Sequence, residues 1–528
     1  MMHELTATLR PILATLPLLH IVVAAPFVGA MLLLFINDSR PTTVRVIGVV
    51  ASAISMVASF AIAIAYDMAA GGVQMTSELA LVPSLGINLS LGVDGWGVSL
   101  LILTGLIMFA GAWASWTVKT RGREFYLMLL VLVTGVFGVF VSLDLFVFFL
   151  FYEIAVLPMY LLIGIWGSSN KVADAGPFKF IWKLLDIGGK EYAAMKLTLM
   201  LLIGSALIVA AMAAMYIEAG STSFDLRHLE KTRFSLGLQL WAFPALWVGF
   251  GTLAGIWPFH TWSPDGHASA PTAVSMLHAG VLMKLGAFGV MRIGMVLLPE
   301  GAREWAWLVG GVAAINILYG AFAAMAQKDL KYIIAYSSVS HMGVVMLGAA
   351  TMTVNGWNGA VYQMFAHGLM TGLFFALVGL IYEQAHSRWI PDFGGFAKKQ
   401  PYIAAFFTLG CLSSLGLPGL AGFVAEWLVF LGAWQSPHAW WAIIGLLGAW
   451  ITAIYVLRAT RRIFWGPAPD EKWTDIRDPR GTEWVALWML GLALVLFGAV
   501  PSLILDFIDV TTVETLPRVA NAALEVLR

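Results

Sequence analysis

The sequence predicts an all-α polytopic membrane protein with about fourteen transmembrane helices, two of them broken. Three observations predict it. The 528 residues are 60% hydrophobic and only 11% charged, with a mean hydropathy of +0.85. A soluble domain carries about 25% charged residues, so most of this surface must face lipid. Apolar windows of spanning length recur along the chain, and Lys and Arg alternate between the loops.

Windows of about 20 apolar residues fall near 15–36, 44–66, 96–116, 124–142, 144–167, 191–217, 239–258, 270–293, 303–326, 330–350, 359–381, 402–434 (interrupted), 438–463 and 482–507. The first contains "LPLLHIVVAAPFVGA", which has the look of a signal peptide. Its apolar run reaches Ile36, so it reads as an uncleaved helix. Basic residues favour one set of loops by roughly nineteen to seven, which places that set in the cytoplasm and both termini outside. Before the sixth span, Phe178, Ile181, Trp182 and Leu185 recur at helical spacing, with Lys179, Lys183 and Asp186 on the other face. That stretch reads as an interfacial amphipathic helix, the alternative being a basic loop. The tail after Asp509 is amphipathic in pattern and otherwise uninformative.

The 22 Trp suit a membrane interface. A net charge of zero implies no nucleic-acid partner. The single Cys, Cys411, excludes an intrachain disulfide and a cysteine-ligated cluster. No G-x-G-x-x-G or Walker loop is present, so no nucleotide, flavin, metal or iron–sulfur site is expected in this chain.

Ionisable residues sit inside the apolar windows. Glu153 lies nine residues past Asp144, about 13 Å deep in a hydrocarbon layer about 30 Å thick. Lys284 is mid-span in "SMLHAGVLMKLGAFGV", with His278 six residues before it. His341 and His367 lie inside the tenth and eleventh windows, and Glu426 follows the break "SSLGLPGLAGFVAEW". A charge at that depth costs at least about 2.5–3.5 kcal/mol on insertion scales. Each has a structural alternative: an ion pair between helices for Glu153 and Lys284, a satisfied core histidine for His278, His341 and His367, a half-helix cap for Glu426. Together they read as a polar row in the membrane plane. Buried Lys and Glu exchange protons near neutrality, His does so already, and Arg does not.

Pro258 and Pro418 interrupt the seventh and twelfth windows. They are five spans apart, so the breaks have opposite orientations, a pattern that points to a transport path.

The stretches "LGVDG", "FYEIAVLPMYLLIGIWG", "YAAMK", "PFHTWSPDGHASAPTAVSMLHAGVLMKLGAFGVMR", "AQKDLKYIIAYSSVSHMG", "QMFAHGL" and "LPGLAGFVAEW" resemble the antiporter-like subunits of respiratory complex I, most closely the M type. The resemblance implies helices one to three in 1–123 and a five-helix repeat (helices four to eight) in 124–295. An inverted second repeat (helices nine to thirteen) would fill 296–465, and the last helix and tail 466–528. It implies a proton-translocating membrane-arm subunit of an NADH–quinone oxidoreductase in the bacterial cell membrane. NADH, FMN, iron–sulfur clusters and quinone would belong to partner subunits. The partners would be other membrane-arm subunits, above all neighbouring antiporter-like ones, within the bilayer. Glu153, Lys284, His341, His367 and Glu426 match the family's proton-relay positions, with Glu426 at the outlet.

One position departs. The family carries a lysine in broken helix seven; here the matching residue is Leu253. The partner of Glu153 is thereby open. His278 is a candidate substitute, since some other antiporter-like subunits carry a histidine there; a water-bridged contact with Lys284 is a second candidate. Competing readings are a subunit of a multisubunit cation/proton antiporter or membrane-bound hydrogenase, and a structural arm with impaired pumping.

Overall fold

The computed structural model describes residues 9–169, 188–467, 473 and 476–521. The expected interfacial helix with Phe178 to Asp186 lies outside the described residues. The first helices are α1 (Leu18–Leu34), α2 (Pro41–Ala65), α3 (Gly95–Ala114), α4 (Gly122–Val141), α5 (Leu145–Trp166), α6 (Lys190–Glu218) and α7 (Leu236–Ala254). Next come α8 (Trp262–Ser269) and α9 (Thr272–Met295). Then follow α10 (Pro299–Ala326), α11 (Leu330–Ala350), α12 (Val354–Ala385), α13 (Pro401–Ser414), α14 (Ala421–Gln435), α15 (Trp440–Trp465), α16 (Glu483–Ala499) and α17 (Ser502–Asn521).

Eleven helices are long and apolar enough to cross a membrane, or twelve if α16 and α17, bent by 64°, form one span. By that measure the expected fourteen is not reached among the described residues. α1, with 17 residues, and the two halves of the twelfth window, with 14 and 15, are too short by themselves. A hydropathy window reads through a break; a continuous helix does not. The all-α expectation also missed a hairpin. β1 (Gln74–Val82) pairs antiparallel with β2 (Ile87–Val93) between α2 and α3. Strands of nine and seven residues are too short to register in a membrane-length window.

Local capping sets the helix starts. Asp94 accepts the Gly97 N–H at α3, Asp144 the Phe146 and Val147 N–H groups at α5, and Asp329 those of Lys331 and Tyr332 at α11. Two of these caps, Asp144 and Asp329, sit in similar but separate backbone clasps. Leu145 N–H donates to Phe224 O and Leu226 N–H to Leu143 O, both at 2.8 Å. Leu330 N–H donates to Arg388 O at 3.0 Å and Ile390 N–H to Lys328 O at 2.8 Å. In each clasp the residues around a capping Asp are stitched to the loop ahead of a broken helix.

Burial sorts the helices. α9, α11 and α12 are enclosed on nearly every face, while α2, α6 and α15 are enclosed on one. The outer face of α15 carries Ile443, Leu447, Ile454 and Trp450, the last 77% exposed. An all-apolar outward face belongs against lipid.

Both predicted breaks exist. α7 stops at Ala254 with Gly255 left-handed (φ 76°), and the span resumes as α8. The seventh window therefore ended too early: it closed at 258, and its second half is Trp262–Ser269. The freed backbone is satisfied by side chains, as membrane depth requires. Asn316 Oδ1 accepts from Trp257 N–H at 2.8 Å, and Trp262 Nε1–H donates to Thr252 O at 2.9 Å. The second break, 415–420, separates α13 from α14.

The C-terminal helix is more than a tail. Thr511 Oγ1 accepts from Gly95 N–H and Thr512 Oγ1 from the Trp96 indole, at 2.8 and 3.0 Å. Asn358 donates to Asp509 at 2.6 Å. α17 thus ties the start of α3 to α12.

Candidate functional site

Lys284 is fully buried on α9, two residues past a π-helical turn, His278–Leu282. Such turns re-aim side chains and recur at functional sites. Gly286 lets α9 approach α7 closely: a Cβ there would lie 2.4 Å from Phe250 O and 2.5 Å from Ala254 N. Lys284 Nζ donates to Ala279 O and lies 2.7 Å from His367 Nδ1 on α12.

From His367 the row continues. Its ring centroid is 5.3 Å from that of His341 on α11. His341 Nδ1 lies 3.4 Å from Glu426 Oε1 on α14 and 3.1 Å from Gln363 Nε2. Its Nε2 lies 3.2 Å from Ser414 Oγ at the end of α13. Glu426 faces the break: a Cβ on Gly416 (φ 72°) would lie 2.9 Å from its Oε2. Lys284, His367, His341 and Glu426 thus form one contiguous series on four helices.

The other two predicted residues are not in that series. His278 is buried between Trp262 and His267, with ring centroids at 5.0 and 4.1 Å. Glu153, half-buried on α5, accepts from Ser205 Oγ on α6. Among the described residues no hydrogen bond, ion pair or ring contact joins Glu153 to His278 or to Lys284. Leu253 is 1% exposed. Its helix packs on the Glu153 side, since a Cβ on Gly204, next to Ser205, would lie 3.4 Å from Thr252 Cβ.

Sequence reasoning missed His267, Ser205, Gln363 and Ser414. Serine and glutamine raise no alarm in a hydropathy window, and His267 fell between two predicted spans. It also missed the part-buried Arg292, which pairs with Asp94 and lies over the Trp96 and Phe288 rings at 5.3 and 5.6 Å. Several buried ring nitrogens have no hydrogen-bond partner among the described residues: both of His260 and of His267, His278 Nδ1 and His367 Nε2. Near the ends of the spans, Lys196 pairs with Asp265 at 2.7 Å, and Tyr332 donates to the same carboxylate at 2.9 Å. Among the described residues no group of three His, Cys, Asp or Glu side chains is placed to hold a metal ion.

The fold and this charged row define an antiporter-like subunit of a membrane complex. The chain belongs to the NADH:quinone oxidoreductase/Mrp antiporter transmembrane family, whose model matches residues 188–452. It is 34% identical over 506 residues to NADH-quinone oxidoreductase subunit M of Rhodobacter capsulatus, covering 93% of this chain and 94% of the relative. It is 36% identical over 511 residues to an NAD(P)H-quinone oxidoreductase chain 4 of Nostoc sp., covering 94% and 91%. A chain of respiratory complex I from Thermus thermophilus superposes with a TM-score of 0.83 at 29% identity, covering 94% of this chain and 99% of that one. A chain of the Mrp complex from Dietzia sp. has a TM-score of 0.81 at 19% identity, covering 97% and 99%, a likeness of fold.

Proposed function

We propose that the chain is a proton-translocating membrane-arm subunit of a complex I-like NADH–quinone oxidoreductase. The observation that carries this reading is the buried series Lys284–His367–His341–Glu426, which runs across four helices. Lys284 is the central proton holder, His367 and His341 pass the proton, and Glu426 releases it beside the second break. A proton crosses the gaps by ring rotation or through water. Glu153 acts as the charge that couples this chain to its neighbour. With Leu253 in the lysine's place, His278 takes the complementary role through water and His267.

The chain lies in a bacterial cell membrane with both termini outside, the orientation favoured by its basic loops. Neighbouring antiporter-like subunits flank it. Partner subunits carry NADH oxidation, FMN, the iron–sulfur clusters and the quinone.

A second reading, a structural arm that does not pump, is favoured by one observation: Glu153 is held by a serine and pairs with no lysine among the described residues. Electron transfer and proton uptake, measured together in vesicles holding the purified complex, separate the two. If Lys284→Ala lowers pumping while the complex stays assembled, the relay runs through this chain. Unchanged activities would make its role structural.

A further inference from the structure

A cleft of about 210 Å³ opens between the ends of α10 and α15 and the start of α11. It lies on the side that the basic loops assign to the cytoplasm. Lys328, Arg458 and Arg462 line it and are exposed, so its rim is wet. Ile333, Ala459 and Tyr455 line it too and are buried; they form its floor. The cleft admits several waters, since one water needs only about 10–15 Å³ of such space.

Tyr455 separates this water from the charged row. Its hydroxyl donates to Ser337 Oγ on α11 at 2.7 Å, and the two residues are 2% and 5% exposed. Ser337 stands one helical turn, about 6 Å, before His341 on the same helix. There His341 Nε2 lies 3.2 Å from Ser414 Oγ, and Nδ1 lies 3.4 Å from Glu426 Oε1. The Glu426 carboxylate is close enough to act electrostatically on the Tyr455 hydroxyl. Ser413 Oγ and Gln363 Oε1, each next to a partner of His341, are buried with no hydrogen-bond partner among the described residues. Buried water settles on such atoms. One aromatic ring thus stands between a wet cleft and a polar interior.

A group that releases protons to one side must be closed to the other, or the gradient runs back through it. Hydroxyls and water pass protons, and an aromatic ring does not. We propose that Tyr455 is the barrier that closes the His341–Glu426 end of the row to the cytoplasm, with Ser337 fixing its ring in place. The proposal rests on the reading of Glu426 as the outlet. Tyr455 is a positioning residue: its ring does the closing, and its hydroxyl carries no proton during turnover.

The test uses the purified complex sealed in vesicles, without NADH. A pH step is imposed, and its decay is followed with a trapped fluorescent indicator. Tyr455→Ala should speed the decay several-fold, and Tyr455→Phe should leave it at the wild-type rate. Adding Glu426→Gln to Tyr455→Ala should return the rate to the wild-type value, because the leak runs through the row. Tyr455→Phe should also keep coupled pumping; a loss there would make the hydroxyl a proton donor and overturn the proposal. A tight Tyr455→Ala variant overturns it, as does a leak that survives Glu426→Gln.

Accessibility gives a second readout that opens no cavity. Cys411 is the chain's one cysteine and is buried. Ala459→Cys, on the cleft, should react with a small water-soluble methanethiosulfonate. Ser337→Cys should react only when Tyr455→Ala accompanies it, and peptide mass spectrometry of this chain reads both. Reaction of Ser337→Cys behind an intact Tyr455 overturns the barrier. Failure of the proposed function shows elsewhere, as unchanged pumping in Lys284→Ala.

Discussion

Lys284 Nζ lies 2.7 Å from His367 Nδ1, and this contact joins α9 to α12. One hydrogen bond spans that distance, with the amine donating to a bare Nδ1 or a protonated Nδ1 donating to the neutral amine. Lys284→Ala should lower coupled proton uptake about a hundredfold, the low end for a positioned proton-transfer group. Lys284→Arg should not rescue it, because arginine keeps its proton. Uptake and electron transfer in vesicles read both outcomes, and pumping by the arginine variant would remove Lys284 from the relay.

Glu426 is placed by the turn it faces. Gly416→Ala puts a Cβ 2.9 Å from Glu426 Oε2 at a residue with φ 72°. Left-handed backbone costs an L-residue about 1–2 kcal/mol. The melting temperature should drop, and pumping should fall more than stability explains. A variant with normal melting and normal pumping would show that the break tolerates a side chain.

Asn316 holds the first break with both ends of its amide, accepting from Trp257 N–H and donating to Val339 O at 2.8 Å. Asn316→Leu leaves a buried N–H unmatched, at a cost of about 1–3 kcal/mol. Asn316→Asp keeps the acceptor and should recover part of the loss in thermal unfolding. Equal losses in both variants would point to packing instead.

Leu253→Lys supplies the lysine expected in broken helix seven from the sequence resemblance. A buried charge without a partner costs about 3–5 kcal/mol. The substitution should therefore be tolerated with Glu153 present and strongly destabilising with Glu153→Gln. A double-mutant cycle measures the coupling; a value near zero would mean that Leu253 does not face Glu153.

One clasp carries a pH signature. Burial pushes the Asp225 carboxyl up, but hydrogen bonds and charge from Arg227 outweigh it and hold it below its ordinary value of 3.8. Its stabilising contribution is present above that value and is lost as pH falls through the lower folded value. Arg227 is 42% exposed, so the effect is small. Asp225→Asn should flatten the acid limb of a melting-temperature profile, and an unchanged limb would remove this pair from the account.

Much of the site was legible because charge inside an apolar window is costly and therefore conspicuous. Glu153, Lys284, His341, His367 and Glu426 all stood out on that ground alone. Ser205, Gln363 and Ser414 carry no such cost and became visible only as partners. His267 was hidden by position, because the window ending at 258 and the one starting at 270 left out α8.

The one-dimensional pattern determined the membrane class, the approximate helix positions, the two breaks and the identity of the charged residues. Hydropathy, proline and ionisable chemistry are local properties and need no neighbours. Tertiary structure alone decided which charges meet. It joined Lys284 to His367 and His341 to Glu426, left Glu153 with Ser205, and set His278 against His267. It also turned the C-terminal tail into a strut on α3. Residues 83 positions apart, as Lys284 and His367 are, become partners through helix packing. That packing depends on shape and close approach, at Gly286 for example, and no linear pattern records it.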